Sequence, residues 1–188
     1  MSNPPTSRLN RFFESSPLRH LAFRHYYIGG LGVSLGYTMQ ATMAAWLMAT
    51  LTPSALMVAL VQTASTAPAL LFGLIAGALA DLVDRRKVIL VTQSVLLAGT
   101  ALLGVTTLAG LIGPGSLLFL TFVIGSGFML AIPAQQASIN ELVSRPDLPR
   151  AIALGAVSFN MARAVGKALA GAIAALLTSG SAFLAAAL

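Results

Sequence analysis

The 188-residue chain has no cysteine, two histidines, five acidic residues and one tryptophan. Each shortage removes a class of function. Without cysteine there is no disulfide framework and no thiolate metal site. The histidines, His20 and His25, both precede the first long apolar run. A histidine–carboxylate metal centre therefore lacks ligands, and no metal or cofactor is expected. No nucleophile–base pair, paired catalytic carboxylates or phosphate-binding glycine loop can be assembled, which argues against an enzyme. Charged residues make up only 9% of the chain. A soluble domain carries about 25%, so this sequence cannot cover a globule with polar surface.

What is present is hydrocarbon. Hydrophobic residues make up 57% of the sequence, and the mean hydropathy is +0.87. The solvent implied is a lipid bilayer. The net charge of +6 does not point to nucleic acid, because the basic residues sit in short clusters between apolar runs rather than on one polar face.

Runs long enough for a membrane helix, about 20 residues, predict an all-α membrane protein. The spans expected are 26–50, 54–80, 88–109, 116–138 and 151–177, with a truncated sixth over 181–188. Residues 1–25 read as a basic cytoplasmic tail, either an interfacial helix or a solvated arm, ahead of a transmembrane domain over 26–188. Gly32 with Gly36, and Gly73 with Gly77, have the four-residue spacing that lets helices approach closely. Pro68 inside the second run predicts a kink.

Basic residues outside the runs fall in the tail, in Asp84-Arg85-Arg86-Lys87 and in the Asn140–Arg150 connector. The turns near Pro53, Pro114 and Gly180 carry none. Lysine and arginine are retained on the cytoplasmic side, so the amino terminus and both charged connectors are expected there, in a bacterial inner membrane.

Two cations break the pattern. Arg163 and Lys167 lie in the fifth run, four apart and so on one helix face. Arg163 is roughly 18 Å along a helix axis from Arg150. A charge at mid-bilayer depth costs at least about 2.5 kcal/mol. Arg163, with Asn160 beside it, reads either as part of a substrate or ion pathway or as a hydrogen-bonding node pinning helices together; Lys167 either joins it or snorkels outward. Gln40 is a further pathway candidate, and Gln62, Gln135 and Gln136 are polar groups in or near spans. Asp84 reads as a helix cap. Asp81 is either a solvated loop charge or a lock on one conformational state.

The segment Gly77-x-Leu79-x-Asp81-x-x-x-Arg85-Arg86 resembles the loop between helices two and three of the major facilitator superfamily. Leu82 and Asp84 depart from that pattern, where arginine and glycine are usual. Pro133-Ala-Gln-Gln-Ala137, Asn140-Glu-Leu-Val143 and Ser158-Phe-Asn-x-Ala-Arg163-x-x-Gly166 are similar to stretches of its siderophore and macrolide exporter branch, with Lys167 where that branch usually has proline. The resemblance spans Leu18 to Leu188. It implies the amino-terminal six-helix half of a secondary active, proton-coupled exporter of small molecules. In it, Gly77, Asp81, Asp84, Arg85 and Arg86 form a conformational-switch loop, and Gln40, Asn160, Arg163 and Lys167 are candidates for the substrate or ion pathway. A carboxy-terminal half is then the missing partner. The alternative is a truncated or accessory membrane protein that does not transport unaided.

Overall fold

The computed structural model describes residues 17–176 and 186–187, apart from the side chains at positions 80, 81, 175 and 176. The described residues form five long α-helices: α1 (Leu21–Leu51), α2 (Ala55–Leu82), α3 (Arg85–Leu108), α4 (Pro114–Leu142) and α5 (Leu148–Leu176). Short 3-10 helices over Pro17–Arg19 and Arg145–Asp147 precede α1 and α5.

Local chemistry sets the boundaries. Ser54 caps α2 by accepting the Met57 N–H. The Asp84 carboxylate accepts the Arg86 N–H at 2.8 Å. That cap lets α3 begin at Arg85 rather than at Val88, because a carboxylate at the amino terminus offsets three cations in the first turn. Gly110, at φ 69°, turns the chain between α3 and α4, a conformation that costs a side-chain-bearing residue about 1–2 kcal/mol. The Gly113 N–H then donates to Ser116 Oγ at 2.9 Å as α4 starts. α2 runs through Pro68 without interruption; one turn earlier, Tyr37 Oη donates to the Ser65 carbonyl at 3.2 Å.

α4 packs chiefly against α2 and α3, and α5 packs against α1. α4 and α5 touch little, and that separation leaves room for a cleft. Small residues make the tight seams. A Cβ at Gly125 would lie 2.8 Å from the Ser65 carbonyl oxygen, and one at Gly127 would lie 3.0 Å from the Thr92 carbonyl oxygen. On α5, one at Gly166 would lie 3.1 Å from Thr38 Cβ. Gly36 meets the Ala186 carbonyl, but Gly32, Gly73 and Gly77 meet nothing within 4 Å among the described residues.

Among the described residues three helices are long and apolar enough to cross a membrane: Ala55–Leu79 of α2, α3 and α4. The expectation of five spans and a truncated sixth is therefore corrected. α1 and α5 have the length but not the composition. α1 opens with Arg24, His25, Tyr26 and Tyr27, and carries Ser34, Thr38, Gln40 and Thr42 further on. α5 carries Ser158, Asn160, Arg163 and Lys167. Most of residues 181–188, and the turn near Gly180, lie outside the described residues. On the three apolar helices large side chains face outward: Leu70 is 91% and Leu74 93% exposed on α2. Such a surface suits hydrocarbon, not water. The protein is a multi-pass helical membrane protein.

The described part of the basic segment runs from Pro17 and enters α1 at Leu21. Phe23 is 1% exposed and packs with Val143 and Ala151, so the entry to α1 is docked on the connector between α4 and α5. Residues 1–16 lie outside the described residues.

Candidate functional site

The cleft left between α4 and α5 is a cavity of about 770 Å3, with α1 as its third wall. That volume falls in the range of about 300–1,000 Å3 that holds a drug-sized molecule. α1 contributes Tyr26, Tyr27 and Ser34; α4 contributes Phe128, Gln135 and Gln136; α5 contributes Ser158 and Phe159. The walls are aromatic and amide-bearing, with no charged side chain among the described lining residues.

Two tyrosines frame it. Tyr26 Oη donates to the Gln135 carbonyl at 2.8 Å, tying α1 to α4. Tyr27 Oη hydrogen-bonds Ser158 Oγ, tying α1 to α5. Behind them runs an aromatic ladder across three helices. Tyr37 and Phe128 stack with centroids 3.9 Å apart, and Phe128 and Phe159 lie 6.4 Å apart. Its last member is a cation: the Arg163 guanidinium carbon lies 5.7 Å from the Phe159 ring centroid.

The other pathway candidates separate. Asn160 is exposed and spends its amide on the Ala156 carbonyl at 2.9 Å, one turn back. Lys167 is exposed one turn beyond Arg163. Gln40 is 1% exposed, away from the cavity walls, and neither end of its amide has a hydrogen-bond partner among the described residues. The sequence singles out Arg163 as an isolated charge but gives no sign of the aromatics beside it. Phe128 and Phe159 are ordinary apolar residues until three helices bring their rings together.

Charge collects at the end of the bundle away from the Pro53 and Gly110 turns. Arg85 at the start of α3 pairs with Glu141 at the end of α4. Both are solvent-facing, so the pair is worth about 0–1 kcal/mol, enough to bias two near-equal arrangements but not to hold the fold. Arg86 contributes its N–H to the Asp84 cap. Gly77 is open on its helix face, and the Asp81 side chain lies outside the described residues.

A second cluster centres on Asp147, whose Oδ2 receives Arg19 Nη2 at 2.7 Å and the Ser144 hydroxyl at 2.8 Å, with His20 Nε2 at 3.5 Å. The Ser144 hydrogen bond, then His20 and Arg19, hold its carboxyl below the usual carboxylate range, against the opposing effect of burial. A carboxyl depressed on folding stabilises the folded state above its unfolded pKa of about 4. That contribution is lost as pH falls through the folded value. Amide hydrogen exchange over residues 17–25, taken relative to the intrinsic rate at each pH, should therefore stay slow from pH 8 down to about 4 and rise below it. Asp147→Asn should raise it about fivefold or more at pH 7. Equal exchange in parent and variant at pH 7 would mean the cluster holds nothing.

The profile of the transmembrane secretion effector family matches residues 13–188. The chain is also 28% identical over 176 residues to the staphyloferrin A transporter of Staphylococcus aureus (strain NCTC 8325 / PS 47). The aligned region covers 93% of this chain and 41% of that transporter. No solved structure matches the chain. The family is one of transport proteins, not enzymes. The chain belongs to the transmembrane secretion effector family of the major facilitator superfamily.

Proposed function

We propose that these residues form part of a secondary active transporter that exports small organic molecules, and that the cavity between α1, α4 and α5 is their share of the substrate path. The observation that carries this reading is the cavity itself: drug-sized, aromatic, and walled by helices tied together through tyrosine hydroxyls. Because the aligned chain spans 41% of the staphyloferrin A transporter, the working transporter includes a second half, and alternating access is the rocking of one half on the other. Gly77, Asp81, Asp84, Arg85 and Arg86 serve as the switch loop in this reading. The Arg85–Glu141 pair supports that role, since an ion pair of small net worth can open and close. The amino terminus and the charged connectors lie in the cytoplasm, on the strength of where the basic residues fall.

Export in exchange for protons needs a group that binds them. The acidic residues are Glu14, Asp81, Asp84, Glu141 and Asp147. Among the described residues, Asp81, Asp84, Glu141 and Asp147 lie no deeper than one residue inside a helix, so none of these four carboxylates stands at mid-membrane depth to carry protons.

The absence of native cysteine makes the cavity directly testable. In inside-out vesicles, a membrane-impermeant maleimide should modify Ala156→Cys, on the cavity wall, about tenfold or more faster than Leu74→Cys, on the outer face of α2; a thiol reacts as thiolate and needs water to ionise. Equal rates would show that the cavity is not a water-filled path.

A further inference from the structure

Resting on that reading of the cavity, we infer that its substrate is an organic anion: a carboxylate, or a similar oxyanion, attached to a flat apolar body. The first support is the register of α5. Ile152, Ala156, Phe159, Arg163 and Lys167 fall within about 80° of one another around the helix. The first three line the cavity, so the two cations continue the same stripe beyond it. The second is the ring contact: Arg163 sits over Phe159 at 5.7 Å, which places its fork at the rim of the aromatic wall. The third is the absence of counter-charge. Among the described residues no acidic side chain lines the cavity, and the ion pairs involve Arg19, His20 and Arg85 but neither Arg163 nor Lys167.

These observations have one chemical consequence. Arg163 is exposed, so its paired N–H groups are open to an anion that can accept them, and the Phe159 ring supplies only part of that stabilisation. A substrate carboxylate can accept the fork while its apolar body lies against Phe159 and Phe128. An organic cation would meet two like charges on the same stripe and no carboxylate to attract it. Asn160, already bonded to the Ala156 carbonyl, offers little competition for the anion.

The test uses three probes of one shape and different charge: 2-naphthoate, 2-naphthylmethanol and 2-naphthylmethyl-trimethylammonium. They are bound to the 188-residue chain in nanodiscs of phosphatidylcholine, which carries no net anionic headgroup. Naphthoate should bind about tenfold or more tighter than the ammonium probe. Arg163→Gln should bring naphthoate down about tenfold, to the level of the alcohol, and leave the alcohol within about twofold. Arg163→Lys should keep most of the preference for the anion. An ammonium probe that binds as tightly as naphthoate, or naphthoate binding unmoved by Arg163→Gln, overturns the anion assignment while alcohol binding keeps the cavity as a substrate site. Failure of all three probes overturns the anion assignment too; slow labelling of Ala156→Cys alongside it would also remove the substrate path, whereas fast labelling would leave that path standing.

Discussion

Gly125→Leu should separate α4 from α2 and cost about 3 kcal/mol or more of stability in detergent. The reason is what the new side chain meets. A Cβ there lies 2.8 Å from the Ser65 carbonyl oxygen and 3.4 Å from its carbon and Cα. These are backbone atoms of a neighbouring helix, so no rotamer change relieves the clash, and the helices must move apart. Separation also strains the Tyr37 hydroxyl bond to the same carbonyl, so the damage reaches α1. Lipid tails are as apolar as leucine, and helix association here depends on close packing rather than on escape from water. Loss of one tight seam is therefore felt in full. Gly99 is a milder case, because its Cβ would meet the Ile124 side chain at 2.8 Å, and a side chain can turn. Gly73→Leu is the control. Nothing lies within 4 Å of its Cβ position among the described residues, and leucine is the better helix former by up to about 1 kcal/mol. That variant should be neutral or slightly more stable. Thermal unfolding of the three proteins in one detergent decides the matter, and a Gly125→Leu protein as stable as the parent would break the packing account.

The same glycines show what the sequence reveals and what it withholds. Four-residue spacing identifies glycines that share a helix face, and so singled out Gly32, Gly36, Gly73 and Gly77. It does not say whether that face meets a neighbour. Of these four only Gly36 does among the described residues, while Gly125, Gly127 and Gly166 make seams through single positions facing a partner's backbone. The turns and connectors were legible, because Pro53, Gly110–Gly113 and the charged stretches are local signals with local causes. The helix start was legible too: Asp84 reads as a cap from sequence, and its side chain winds the arginines and lysine ahead of the apolar span over 88–109 into the first turn of α3. Apolar length alone overstated the spans. α1 and α5 are long, but polar residues along them lower their hydropathy; of these, Tyr26, Tyr27, Ser34 and Ser158 line the cavity. Arg163 was visible as an isolated charge. The Tyr37–Phe128–Phe159 ladder beside it was not, since its rings come from α1, α4 and α5 and meet only when the register of all three is fixed.

α3 should cross the bilayer, with the charged connectors on one side of it. Leu82 and Leu111 lie just outside its two ends and are 85% and 78% exposed, so cysteine at either position leaves the Asp84 cap and the Gly110 turn intact. An impermeant maleimide should label Leu82→Cys only in inside-out vesicles and Leu111→Cys only in intact cells opened to the periplasm. Labelling of both positions from the same side would contradict it.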